Sequence, residues 1–303
     1  MIPAMTRFFP MLPLAILIPF AAWADDPKTA PKSLEQQLVE TYTKWRQSML
    51  DSDYPAWVKH TASYRRAVTR NNIVSQKLKF PDAMFAVPMK PASIDGLKPI
   101  QARAVGPTSQ LVYYGQIDVG IKPPEGAEIP KNLLILKFIR DGKEWKFNTL
   151  SLLNLHGSDE LKGQIERQDY EFLNRGNFVP PGFVPVPPTP CPTPAYVAQI
   201  QITSIGYETE VLINGVSRHK VADTAKSELI IGGLRSTKNE ISISSKPIAR
   251  PVTAPDDGSI PDQLEISVFA EPNQRGGRVH RAWHYKPARV VPRYGGIFFA
   301  MPR

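Results

Sequence analysis

Residues Val179–Pro194 read VPPGFVPVPPTPCPTP, and half of them are proline. Proline fixes φ and has no N–H to donate, so this run forms neither a helix nor a central strand. We expect an extended polyproline-II path that acts as a semi-rigid spacer up to ~50 Å long. The sequence therefore predicts two modules, at 25–178 and 195–290, joined by a proline-rich linker at 179–194.

The first 24 residues have the pattern of a secretory signal peptide, which is removed from the mature protein. Arg7 supplies the positive charge, Phe8–Ala21 is an apolar run broken by three prolines, and Ala22-Trp23-Ala24 matches a cleavage site. The alternative is an uncleaved anchor, but this run is too short and too proline-rich for a stable membrane span. We therefore expect a periplasmic or secreted protein without a stable membrane span after cleavage.

The charge and cysteine content limit the partners that we expect. The formal charge is +9, or +8 once Arg7 is removed with the signal peptide. A basic exported protein favours anionic envelope components over nucleic acid, although solubility alone is an equal explanation. Cys191 is the single cysteine, so it forms either an intermolecular disulfide or a free thiol without a role. The five histidines are scattered, and we expect no cofactor and no metal site.

The first module combines helices with a later run of strands. Ser33 and Gln36 have capping-box spacing, and apolar residues then recur at helical spacing up to Met49. Asp141-Gly142 is a strong hairpin signal because Asp-Gly supplies the positive φ values of a tight turn. We expect helices at 33–50, from Tyr54-Pro55 onward, at 64–79 and at 158–173, with strands at 100–105, 110–119, 132–140 and 144–155. This order predicts an α+β module with helices on one face of a curved antiparallel sheet.

The first module resembles the nuclear transport factor-like, or SnoaL-like, α+β cone superfamily. The resemblance is carried by the helix Leu34–Met49, the helix starting at Tyr54-Pro55, and the strands Leu111–Asp118, Leu133–Arg140 and Glu144–Leu152 with their hairpin. It implies a pocket between sheet and helices, in which some members use an Asp–His or Tyr–Asp pair and many only bind or dimerise. The candidate pocket residues are Asp53, Trp57, His60, Tyr64, Tyr114 and Trp145. The alternative is that the aromatic residues fill the core and that His60 lies at its rim.

The second module has the texture of an antiparallel β-sandwich. Tyr196–Gly206 alternates with period two, Glu208–Ile213 follows, and Asn214-Gly215 is a tight-turn signal. Further strand-like runs lie at 228–231, 240–244, 264–270 and 278–285. Val211–Val216 and Leu229–Ile241 resemble the immunoglobulin-like or carbohydrate-binding-like sandwich modules that are attached to exported carbohydrate-active proteins.

The second module contains two further patterns that resemble functional sites. Ser217 and Lys220 have the spacing of penicillin-recognising enzymes, but they follow a turn in a β-rich region and lack the partner motifs. Cations and aromatic residues mix near the C-terminus, where stacking plus charge can bind sugars or acidic polymers. The candidates for that surface are Arg278, Arg281, Trp283 and Tyr285. The alternative is a solvated edge strand. Residues 291–303 are expected to be a tail that docks either on a partner or back onto the sandwich.

Three functional hypotheses follow from these patterns. The leading one is an exported, non-catalytic binding or scaffold protein of a bacterial cell envelope, with two binding modules. The second is an enzyme that acts on a small molecule in a pocket around His60 and Asp53. The third is a glycan- or peptidoglycan-binding protein that uses the basic aromatic surface.

Overall fold

The computed structural model describes residues 32–120, 129–249, 261–271 and 278–300, so the predicted signal peptide lies outside the described residues. The helices are α1 (Leu34–Leu50), α2 (Tyr54–His60), α3 (Ser63–Ser75), α4 (Asp82–Phe85) and α5 (Asp159–Glu166). The strands of the first half are β1 (Lys98–Val105), β2 (Thr108–Gln116), β3 (Lys131–Asp141) and β4 (Glu144–Leu153). Those of the second half are β5 (Ala198–Ile213), β6 (Ser217–Leu229), β7 (Lys238–Pro247), β8 (Gln263–Ala270), β9 (His280–Tyr285) and β10 (Arg293–Phe299). Helices combined with antiparallel sheets confirm the α+β class.

Two predicted helices are shorter than the sequence indicates. Helix α3 ends at Ser75 rather than at Lys79, because Lys77 adopts a left-handed conformation with φ 57°. Helix α5 ends at Glu166 rather than at residue 173, and Gln168 has φ 59°. Two short 3₁₀ turns, Glu171–Asn174 and Gly176–Phe178, continue the chain from there.

The first sheet has the strand order β1-β2-β3-β4 and is antiparallel throughout. The predicted Asp141-Gly142 hairpin joins β3 to β4, and Gly142 has φ 67°. Successive residues of a strand face opposite sides of the sheet. Leu111 and Tyr113 accordingly pack with α1–α4, whereas Val112 packs with residues of α5 and the first 3₁₀ turn. The sheet is therefore covered on both faces, not on the single face that the sequence indicates.

The second sheet contains six antiparallel strands in the order β10-β7-β5-β8-β9, with β6 paired to β5. The sequence predicts two strands at 196–213, but β5 is continuous over 16 residues. The register shifts between Ser204 and Glu208, where Gly206 has φ 78° and donates its N–H to Asp223 Oδ1 at 3.0 Å. Asp223 in β6 also has a positive φ of 51°. The β5–β6 hairpin is therefore sharply bent at this corner.

The bend folds the hairpin over on itself. His219 and Glu228 both belong to β6, and a straight strand would place them roughly 30 Å apart. In the structure His219 Nδ1 lies 2.6 Å from Glu228 Oε2. The two ends of β6 thus meet, and the sheet encloses an apolar core of residues such as Ile200, Val211 and Ile266.

The segment predicted as a tail, 291–303, contains the strand β10, which docks back onto the second sheet by pairing with β7. Gly296 lies opposite Ile241 of β7, and Phe298 is buried in the core of the second sheet. Glycines at 295 and 296 and the turn-like start of this segment obscured its strand character in the sequence.

The proline-rich segment is bonded to helix α3. Asn71 Nδ2 donates to the Thr189 carbonyl at 2.9 Å, and the Cys191 N–H donates to Asn71 Oδ1 at 2.9 Å. Arg70 Nη1 donates to the Cys191 carbonyl at 3.1 Å. The Cys191 side chain is only 2 % exposed and is a free thiol in the structure, so an intermolecular disulfide would require this contact with α3 to open. No described helix is long and apolar enough to cross a membrane.

Candidate functional site

A cavity of about 250 Å³ lies between the helices α1–α4 and the strand β4. Its walls are largely aromatic or aliphatic, with two threonines and one cation. The residues that line it are Trp45, Met49, Trp57, Arg65, Thr69, Met84, Phe147, Thr149 and Leu150. Apolar concave sites with a few polar groups are the usual form of small-molecule sites in proteins.

The aromatic wall of the cavity is built from helix and strand residues in direct contact. The rings of Trp45 in α1 and Phe147 in β4 have centroids 3.8 Å apart, and Tyr42 stacks on Trp45 at 5.5 Å. Trp57 stacks on Tyr54 at 5.8 Å and meets the edge of Phe80 at 6.3 Å. These contacts pack the rings against one another and fix their positions in the cavity wall.

Arg65 is the ionisable residue of the cavity. It lies on α3, one turn before Thr69, so the two side chains share a helix face. Burial lowers the pKa of the Arg65 guanidinium, and the electrostatic interaction with Tyr64 raises that pKa by less. No carboxylate of the described ranges forms a salt bridge with Arg65. The cavity thus holds a half-buried cation without an acidic partner among the described residues.

Trp45 in the cavity wall carries a second polar group, its indole N–H. Its indole Nε1 is buried and has no hydrogen-bond partner among the described residues. A buried donor without a partner costs free energy in the folded protein. The nitrogen has almost no accessible surface, so it lies behind the cavity wall, and Trp45 lines the cavity with its apolar ring surface.

The structure divides the predicted pocket residues between several places. Trp57 lines the cavity. Asp53 is the N-cap of α2, where its Oδ1 accepts from the Ala56 N–H at 3.0 Å. Tyr64 is half-buried on α3 outside the lining of the cavity. Tyr114 packs on the opposite face of the sheet, where the Lys131 ammonium lies 6.0 Å from its ring centroid.

His60 and Trp145 lie together in a separate polar cleft of about 570 Å³. Burial lowers the pKa of His60, and Lys146 and other nearby lysines lower it further. Glu144 is a carboxylate of the same cleft, but it pairs with Lys146 at 2.5 Å. Asp53 and His60 occupy opposite ends of α2, roughly 10 Å apart along the helix axis. The geometry does not bring these two together as an acid–base pair.

The predicted surface site near the C-terminus is split between solvent and interior. Arg278 and Arg281 are exposed. Trp283 and Tyr285 stack on each other at 5.9 Å, and Tyr285 packs on Tyr294 of β10 at 4.4 Å. These two rings contact the core of the second sheet and join its edge strands, while glycan binding at this surface stays a prediction.

A hydrogen-bonded chain in β6 was not predicted from the sequence. Ser217 Oγ lies 2.8 Å from His219 Nε2, and His219 Nδ1 lies 2.6 Å from Glu228 Oε2. Burial lowers the pKa of His219, with Glu228 opposing that shift, so we assign Nδ1 as the donor to Glu228 and Nε2 as the acceptor from Ser217. The order of bonds is that of a catalytic triad.

Burial distinguishes Ser217 from the nucleophilic serine of a catalytic triad. Ser217 is 1 % exposed, and its Oγ accepts the Ile231 N–H at 2.8 Å. A substrate therefore has no access to the hydroxyl in this structure. The three residues instead tie the two ends of β6 together. Alternation in the sequence places Ser217 and His219 on one face, but the approach of Glu228 depends on the bend at Asp223.

Among the described residues, no group of histidine, cysteine and acidic side chains is arranged to hold a metal ion. Comparison with known proteins identifies no relatives: no family model, no curated protein and no solved structure matches this chain. The function is therefore inferred from the site itself.

Proposed function

We propose that this chain is an exported, non-catalytic binding protein of a bacterial cell envelope whose N-terminal half binds a small molecule in the cavity lined by Trp45, Trp57 and Arg65. The signal-peptide pattern of the sequence supports export. In this proposal the N-terminal half is an α+β cone and the C-terminal sheet is a β-sandwich folded over at Gly206. The sandwich is the second module of the protein.

The observation that carries the proposal is the chemistry of the cavity lining. Of the nine described residues around it, Arg65 alone is ionisable. General acid–base catalysis needs a group that exchanges a proton near neutral pH, and an arginine does not do so. The other lining groups offer apolar surface and two hydroxyls. This combination fits recognition of a ligand better than its chemical conversion.

The bonded linker supports a role in which two modules are held in a fixed arrangement. Asn71 binds the backbone on both sides of Pro190, and the Ser75 hydroxyl accepts the Gly232 N–H at 2.7 Å. Helix α3 therefore contacts both the proline-rich segment and the loop after β6. The helix that carries Arg65 also carries these contacts, so one rigid element links the cavity to the second module.

A cavity-filling variant tests the proposed function. We expect Thr69→Phe to occupy the space between α3 and the aromatic wall and to abolish binding of small aromatic molecules, measured by the quenching of tryptophan fluorescence. Arg66→Phe is the matched control, because Arg66 lies on the same helix and does not line the cavity. If Thr69→Phe binds these molecules as well as Arg66→Phe does, the ligand binds elsewhere and the proposal is contradicted.

A further inference from the structure

We propose that the ligand of the cavity is a small aromatic or branched aliphatic monocarboxylate whose carboxylate binds the Arg65 guanidinium. This inference rests on the proposed function and names the ligand class of the same site. It is carried by Arg65, a half-buried cation without an acidic partner among the described residues, and by the apolar lining that surrounds it.

The position of Arg65 is unfavourable for the protein without a ligand. A charge that is removed from water costs free energy unless it is paired and hydrogen-bonded. Arg65 has no carboxylate partner in the described part of the chain, and the lining next to it includes Trp57 and Met84. An anionic ligand would supply the missing partner, since a carboxylate accepts two parallel hydrogen bonds from a guanidinium.

The remaining polar groups of the lining complete the site for a single anionic group. A guanidinium offers donors and no acceptor, so Arg65 favours a ligand group that accepts hydrogen bonds. The Thr69 hydroxyl can donate as well, whereas the Thr149 hydroxyl donates to the Leu150 carbonyl at 3.4 Å. With one cation and no second arginine or lysine in the lining, the site balances one negative charge. A carboxylate therefore fits better than a doubly charged phosphate group.

The size and walls of the cavity define the rest of the ligand. A volume of about 250 Å³ corresponds to roughly eight water molecules at ~30 Å³ each. This lies just below the usual range for drug-sized sites, so the ligand is small. Trp45, Trp57 and Phe147 present flat apolar surfaces on which a planar ring can stack. Phenylacetate has this combination of a ring, a short arm and one carboxylate.

The test compares three probes of similar shape and different charge: phenylacetate, the neutral phenylacetamide and the cationic phenethylamine. Binding to the purified mature chain is measured by calorimetry and by quenching of tryptophan fluorescence, because two tryptophans line the cavity. We expect phenylacetate to bind at least about 10-fold more tightly than the amide, and the amine to bind most weakly.

Matched arginine variants assign the charge preference to one residue. Arg65→Met keeps an unbranched side chain and removes the guanidinium with its charge, and it should abolish the preference for the acid over the amide. Arg66→Met makes the same charge change one residue along α3, outside the lining, and should keep that preference. If Arg65→Met does not fold, the preference for the acid over the amide is measured in the wild-type chain and in Arg65→Lys instead.

The outcomes separate the two levels of the proposal. Equal affinity for acid and amide, both lost in Thr69→Phe, would overturn the carboxylate inference and leave small-molecule binding intact. A charge preference that persists in Arg65→Met and disappears in Arg66→Met would also overturn it. Failure of all three probes to bind would contradict the ligand class. A ligand that binds Thr69→Phe as tightly as it binds the wild-type chain would contradict the proposed function itself.

Discussion

The side-chain amide of Asn71 replaces a strand partner for the backbone around Cys191. Its Oδ1 accepts the Cys191 N–H at 2.9 Å, and its Nδ2 donates to the Thr189 carbonyl at 2.9 Å. A proline-rich chain has few N–H groups and cannot satisfy its own carbonyls, so its buried part needs partners from elsewhere. Asn71 is 2 % exposed, which places this pair of bonds inside the protein.

We expect Asn71→Ala to lower the free energy of unfolding by about 1–3 kcal/mol, because it leaves the buried Cys191 N–H without a partner and removes the bond to the Thr189 carbonyl. Urea denaturation measures this change. Asn72→Ala is the matched control, since Asn72 is adjacent and only partly buried. Asn71→Ala should also speed proteolysis within residues 179–194. Equal stability of the two variants would show that the contact with α3 is dispensable.

Cys191 should react slowly with thiol reagents in the native protein. Its side chain is 2 % exposed and its Sγ lies 3.6 Å from the Ser75 Oγ, so modification requires local opening of the contact with α3. We expect the rate of modification to rise steeply in urea and in Asn71→Ala. Non-reducing electrophoresis of the native protein should show a monomer, and a covalent dimer that forms without denaturant would be contrary to this structure.

The buried histidine of β6 should make stability depend on pH. Burial lowers the pKa of His219 in the folded protein, so near and below its ordinary value the unfolded chain binds more protons than the folded chain. Its contribution is therefore present above the ordinary histidine pKa and is lost as the pH falls towards the folded value. We expect a lower urea midpoint at about pH 5.5 than at about pH 7.5.

Glutamine variants separate the histidines that contribute. His219→Gln should flatten the pH dependence and also lower stability near neutral pH, since the bond to Glu228 closes the bend in β6. His60→Gln should remove a smaller share of the pH dependence of stability. Burial lowers the pKa of His60 as well, but this residue is half-exposed at the end of α2. The exposed His156 provides the control variant, His156→Gln. An unchanged slope in His219→Gln would refute this assignment.

Arg65→Met should stabilise the protein without ligand by about 1 kcal/mol, because it replaces a poorly paired, half-buried charge in an apolar lining with an apolar side chain. Thermal unfolding of the two forms measures the effect. Arg66→Met should change stability by less than about 0.5 kcal/mol. A loss of stability in Arg65→Met alone would mean that the guanidinium is already satisfied in the free protein.

Local patterns predicted most of the elements of the N-terminal half. Helix α1 follows from its apolar spacing, and the hairpin between β3 and β4 follows from Asp141-Gly142. The same local patterns do not determine which face of the first sheet each residue occupies. Tyr114 was expected in the pocket, but the adjacent Tyr113 faces the helices of the cavity side, and a one-residue change of register reverses both.

The candidate site depends on contacts that single-sequence patterns do not contain. Arg65 and Arg66 are identical in type and adjacent, and only the packing of α3 decides which one lines the cavity. Cys191 is buried by residues of α3, which lie more than a hundred positions earlier in the chain. The meeting of His219 and Glu228 requires the corner at Gly206 and Asp223. Long-range packing decides all three.

The most direct measurement is a crystal structure of the mature chain grown with phenylacetate. We expect the carboxylate within about 3 Å of the Arg65 guanidinium nitrogens, with the ring against Trp45, Trp57 and Phe147. The same crystals grown with phenylacetamide should show an empty or partly occupied cavity. Phenylacetate bound elsewhere, or bound in the cavity with its carboxylate directed away from Arg65, would contradict the assignment of this cavity as a carboxylate site.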